Sequence, residues 1–212
     1  MVKYKLVFFS ILFFSCASKK QNEEKLLYIE DIRNSNSTLR MDGFYYKDSS
    51  SEFEKSIDVF LLFKEGILVN EGRYNSVSNN YCLIDTKKEN TIENAINNYK
   101  SRLIQLKRFN DLPSSCKILE NDLDGKGVYS IKNDSIILQF FKSDFKKKNK
   151  DSLNDYFLQE HQGVVLNDSI FKIFKVINYR DNNSIDVNFI YKFSKDSNKP
   201  ILDSKEILNK IY

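Results

Sequence analysis

The chain has 212 residues, with 33 Lys and Arg against 29 Asp and Glu, one His and a formal net charge of +4. Lysine outnumbers arginine 27 to 6. So balanced a charge, with so few of the guanidinium forks that read bases and phosphates, excludes a nucleic-acid-binding function. The length suits one domain with a buried core.

The first element is a targeting segment. Lys3 and Lys5 make a positive start, Leu6 to Ser15 is an apolar run, and the small Ser15 precedes Cys16. The run is too short to span a bilayer as a helix and reads as a signal peptide. Its ending, Phe13-Phe14-Ser15-Cys16-Ala17, resembles the lipobox of bacterial lipoproteins. That resemblance implies cleavage before Cys16, a diacylglycerol on its thiol and an acyl chain on its amine. The other readings are an ordinary secretory peptide cut after Ala17 or an uncleaved anchor. Each buried methylene contributes ~0.8 kcal/mol and stable anchoring takes more than one chain, so lipidated Cys16 would hold the protein on the membrane. Ala17 rather than Asp after the cysteine implies the outer membrane of a Gram-negative bacterium, facing the periplasm or the cell surface.

Cleavage removes Lys3 and Lys5 and no acid, leaving 31 basic and 29 acidic side chains, net +2. Residues 16–37 read as the lipidated cysteine and a polar tether, within which Leu26, Leu27, Ile29 and Ile32 would suit a short helix lying on the domain. Residues 38–212 read as a single domain.

From Leu39 the pattern is that of strands. Leu39 to Lys47 carries Met41, Phe44, Tyr45 and Tyr46. Ile57, Val59, Leu61 and Phe63 alternate onto one face, Lys64-Glu65-Gly66 makes a turn, and Ile67 to Glu71 returns. One helix then interrupts, over about residues 90–110. Asn90 stands at its N-cap with Glu93 three residues on. Ile92, Ile96, Tyr99, Leu103 and Leu106 fall on one stripe, Asn94, Asn97, Lys100 and Lys107 on the solvated face, and Pro113 closes the segment.

Gly127 to Ile131 and Ser135 to Phe141 form a hairpin about Asn133-Asp134, two residues that tolerate left-handed backbone. Tyr156 to Leu166 and Ile170 to Tyr179 form another about Asn167-Asp168. In the last strand Ile185, Val187, Phe189, Tyr191 and Phe193 should face inward, with Asp186, Asn188 and Lys192 outward. About eight strands joined by short turns predict a mainly β protein, an antiparallel up-and-down barrel, because closure removes sheet edges.

The lipobox, with the hairpin phrase Gly127-Val128-Tyr129-Ser130-Ile131-Lys132-Asn133-Asp134-Ser135-Ile136-Ile137 and its partial echo Leu166 to Ile173, resembles the small lipocalin-like lipoproteins of Gram-negative bacteria. Gly43-Phe44-Tyr45 stands where lipocalins carry Gly-x-Trp. The resemblance implies a lipocalin-like barrel; an aromatic-rich closed interior would hold a small apolar ligand or lipid, and the alternation of the last strand makes Val187, Phe189 and Tyr191 the residues that line the ligand or fill the core. The competing reading is a structural or protein-interaction lipoprotein with a fully packed core.

Cys82 and Cys116 flank the helix. They read either as a disulfide pinning both its ends, contributing ~3–4 kcal/mol in the chain-entropy model, or as two buried free thiols. His161, the only histidine, lacks companions for a metal site and reads as a surface or turn residue, with Glu160 on the opposite strand face. Asn121 to Gly127 is an Asx-rich turn; it fails the calcium-loop pattern because Ile131 falls where a bidentate Glu is needed. Lys146-Lys147-Lys148-Asn149-Lys150 reads as a solvated loop, with contact to anionic headgroups as the other reading. No Gly-x-Ser-x-Gly, P-loop or dinucleotide fingerprint occurs, so neither catalysis nor a cofactor is expected.

Overall fold

The computed structural model describes residues 20–21, 25–27, 29–33, 38–77, 89–107, 123–143 and 156–212. Eight strands close into an all-antiparallel up-and-down barrel. In chain order they are β2 (Gly43–Asp48), β3 (Ser56–Leu62), β4 (Ile67–Asn75), β5 (Lys126–Lys132), β6 (Ser135–Ser143), β7 (Tyr156–Asn167), β8 (Ile170–Asn178) and β9 (Asn183–Lys195). Each pairs with the next, and β9 pairs back onto β2, Tyr45 opposite Phe193. A short strand ahead of them, β1 (Lys20–Gln21), runs parallel to the start of β7. Three helices lie outside: α1 (Ile29–Arg33), α2 (Ile92–Lys107) and α3 (Ser204–Ile211). Among the described residues no helix is long and apolar enough to cross a membrane.

The turns follow the local chemistry. Gly66 takes φ +75° between β3 and β4, and Asn133 and Asp134 take φ 48° and 64° between β5 and β6, the mirror-image turn that suits twisted strands. Among the described residues the interior has one apolar cluster and the exterior two. Inside, Tyr45, Phe60, Leu138, Phe140, Phe171 and Tyr191 are fully buried. Outside, Ile57, Val59 and Leu61 pack under Ala95, Tyr99 and Leu103 of α2. Elsewhere outside, Ile67, Val128 and Phe141 pack with Ile32 of α1 and with Ile207 and Ile211 of α3. The alternating face of β3 is therefore real but is the outer one. Its interior face is Asp58, Phe60 and Leu62, and β3 is buried on both sides.

Three details differ from the pattern reading. Thr91, not Asn90, caps α2, its Oγ1 accepting from the Asn94 N–H at 3.2 Å. The Asn90 side chain instead accepts from the Lys55 N–H (2.7 Å) and from the Ser76 hydroxyl (2.8 Å). Asn94 is buried rather than solvated, donating to the carbonyl of Glu89, just ahead of the helix, at 2.8 Å. The third is α3, which the pattern reading left out. Asp203 caps it, accepting from the Lys205 and Glu206 N–H groups at 2.9 and 3.2 Å.

One end of the barrel is sealed. The Tyr45 hydroxyl donates to the Asp168 carbonyl at 2.9 Å and the Tyr129 hydroxyl to the Phe63 carbonyl at 2.7 Å. Lys199 reaches over from the segment after β9, donates to the Met41 (2.8 Å) and Leu62 carbonyls, and lies 4.2 Å from the Phe63 ring centroid. Arg40 covers the Phe193 ring at 4.3 Å.

Candidate functional site

Among the described residues the opposite end is open and charged. Along β2 the alternation that turns Tyr45 inward also turns Lys47 inward, and along β3 it turns Asp58 inward beyond Phe60. Pairing places Lys47 opposite Asp58, and Asp58 opposite Arg73 of β4. Arg73 reaches the interior through a bulge. Val59 pairs with Gly72 and Phe60 with Asn70, so Glu71 is an extra residue. Gly72 takes φ +76° there, a conformation in which a side chain is strained, and its N–H donates to Asn70 Oδ1 at 2.9 Å. Beyond the bulge the parity is reset: Arg73 turns in and Tyr74 turns out under α2. Burial raises the pKa of the Glu71 carboxyl, which accepts from the Tyr74 hydroxyl at 3.3 Å.

Asp58 is the hub of the inward charges. Lys47 Nζ lies 2.6 Å from its carboxylate and Arg73 Nε 3.4 Å, and the Ser49 hydroxyl donates to it at 2.7 Å. Burial pushes its pKa up. Hydrogen bonds from Lys47 and Ser49, with the charges of Lys47 and Arg73, outweigh that and hold it below the usual value. Lys47 also stands 4.3 Å from the Phe189 ring centroid, a cation–π contact.

These groups surround a cavity of ≈590 Å³ that opens at this end. Phe189, Tyr191, Val176 and Ile185 give it apolar walls, and Lys47, Asp58, Arg73, Lys142, Gln159 and His161 its polar ones. The size lies within the ~300–1,000 Å³ of small-molecule pockets.

His161 is not a surface or turn residue. It points into the barrel from β7, only 7% exposed, with its ring edge-on to Phe60 (5.8 Å) and Phe140 (5.1 Å). A lone histidine gives no sign of its side until the strand register is known. Glu160 does turn to the other face, where it accepts from Gln139 (2.6 Å), Gln162 (2.6 Å) and Tyr179 (2.9 Å). Burial drives the His161 pKa down to about 3, helped by the charges of Lys142 and Lys47 and opposed by Asp58, so the imidazole is neutral. Its Nδ1 is buried without a hydrogen-bond partner among the described residues, where most buried polar atoms have one.

Of the residues singled out in the sequence, Phe189 and Tyr191 line this cavity. Val187 packs, partly buried, against the interior cluster, and Ile185 sits at the mouth, 53% exposed. Asp186, Asn188 and Lys192 face outward and are exposed. Asp124 belongs to the turn before β5 and accepts from the Ser143 N–H at 2.7 Å. Cys16, Cys82, Cys116 and Lys146–Lys150 lie outside the described residues. Sequence reasoning missed Lys47, Asp58, Arg73 and Lys142 as a group, since they come from four strands. Among the described residues no His, Cys, Asp and Glu cluster would hold a metal ion.

Comparison with known proteins finds no match: no family model, no curated protein and no solved structure corresponds to this chain.

Proposed function

We propose that the protein is a lipoprotein anchored through Cys16 in the outer membrane of a Gram-negative bacterium, with a lipocalin-like barrel that holds a small apolar ligand. The observation that carries the binding reading is the cavity at the open end. An eight-stranded barrel is just wide enough to be filled by side chains or to hold one small ligand. Here the half toward Tyr45 and Tyr129 is filled, and the half toward Phe189 is not. Aromatic walls with a few convergent polar groups suit a ligand that is mostly apolar. The anchoring part rests on the Phe13-Phe14-Ser15-Cys16-Ala17 motif alone.

Extraction and mass spectrometry of the protein purified from its native membrane tests the first part. A co-purifying small molecule in stoichiometric amount, displaced in Phe189→Trp, is the expected result; an empty barrel with no molecule retained favours the structural or protein-interaction role. For the anchor, Cys16→Ala should move the protein out of the membrane fraction and abolish labelling by fatty acid. A variant that stays membrane-bound, beside a parent that takes up no fatty acid, overturns it.

A further inference from the structure

Three cations and one carboxylate line the cavity: Lys47, Arg73, Lys142 and Asp58. Asp58 is satisfied by Lys47, by Ser49 and, at 3.4 Å, by Arg73, and among the described residues that line the cavity two positive charges remain in excess. An unbalanced cluster of one sign facing a concave, partly apolar space attracts the opposite sign. Lys142 stands opposite Phe157 of β7, with its Nζ 5.8 Å from the Phe140 ring centroid. Below the charges the wall becomes aromatic and aliphatic. Between the two zones sits His161, 93% buried by its 7% exposure, with Nδ1 unpartnered. A buried polar atom left without a partner costs ~1–3 kcal/mol, and a ligand group placed there removes that cost.

We infer that the ligand of this cavity is an amphiphile with a single anionic head, its head held between Lys142, Arg73 and the His161 imidazole and its apolar body on Phe189 and Tyr191. This deepens the small-ligand reading and rests on it. The neutral state of His161 suits the role: a neutral imidazole donates one hydrogen bond to an anion without adding a charge that would have to stay buried when the site is empty. A carboxylate, a sulfate and a phosphate monoester share that head chemistry.

His161 is the only histidine in the chain, so its imidazole resonances report on this cavity alone. The experiment titrates the purified full chain with octanoate, with octanol and with inorganic phosphate while following those resonances by NMR. Octanoate should shift them saturably, at a concentration about tenfold or more below octanol, the ratio one well-placed charge gives. Phosphate should act only far above octanoate. In Lys142→Gln, and separately in Arg73→Gln, which is exposed and safe for folding, the octanoate midpoint should rise toward that of octanol, with octanol unchanged. Octanol matching octanoate overturns the charge selection while leaving a small-ligand cavity standing. Phosphate matching octanoate overturns the amphiphile in favour of a plain anion site. If neither octanoate nor octanol moves His161, this inference and the small-ligand reading fall together.

Discussion

The two ends of the barrel are made by the same strands and differ in the side chains that finish them. At one end Tyr45 and Tyr129 reach across to main-chain carbonyls and Lys199 plugs the remaining gap. At the other, the last inward positions are Lys47, Asp58, Arg73 and Lys142. Long phenols with one polar tip can span a barrel mouth and still satisfy the backbone. Charged side chains instead stay near water and repel a packed filling. The contrast teaches that an eight-stranded interior becomes a site or a core through a few terminal inward residues, with the sheet unchanged.

The largest expected effect comes from comparing an aromatic ring in each half. Phe171 is fully buried between Tyr45 (5.1 Å) and Tyr191 (4.9 Å, stacked), so Phe171→Ala should cost ~3–5 kcal/mol in denaturant melts. Phe189 borders open space and Phe189→Ala should cost about 1–2 kcal/mol, since much of its surface is already unpacked. Equal losses would erase the distinction between the halves.

Next is the acid response of the open end. His161 takes up a proton near pH 6.5 when unfolded and near pH 3 when folded. The unfolded state therefore binds the extra proton inside that window. The residue costs nothing above it, costs progressively more as pH falls through it, and no more below it. His161→Leu should thus be more acid-resistant than the parent, gaining about 3 kcal/mol at pH 4 relative to its difference at pH 7. Parallel pH profiles for the two would show that the imidazole is not held neutral.

At the sealed end Tyr129→Phe removes one buried hydrogen-bond donor while the Phe63 carbonyl keeps the Gly66 N–H at 3.1 Å, for a loss of about 1–1.5 kcal/mol. The smallest effect is expected at the open rim. Arg73 is 60% exposed, and Arg73→Gln should change stability by under ~1 kcal/mol. A rim variant more damaging than Tyr129→Phe would reverse the assignment of which end is structural.

Much of this architecture is written locally. The Asn133-Asp134 turn, the Gly66 turn and the alternation of Val187, Phe189, Tyr191 and Phe193 each rest on neighbours in sequence, and short turns between alternating strands leave few ways to close a sheet. Helix α2 follows from its apolar spacing, and α3 carried a readable signal in Asp203, Glu206, Ile207 and Ile211. Which face of a strand looks inward is a different matter. Ile57, Val59 and Leu61 alternate as well as Phe189 and Tyr191 do, yet lie outside under α2. A period of two defines two faces and does not name them, and covering helices make both apolar. The site depended on still less local facts. One inserted residue at Glu71 and the left-handed Gly72 turn Arg73 into the cavity, and only the pairing of β2, β3 and β4 sets Lys47, Asp58 and Arg73 side by side. His161 is a single residue without periodicity of its own, so its burial was decided by the register of β7 between β6 and β8.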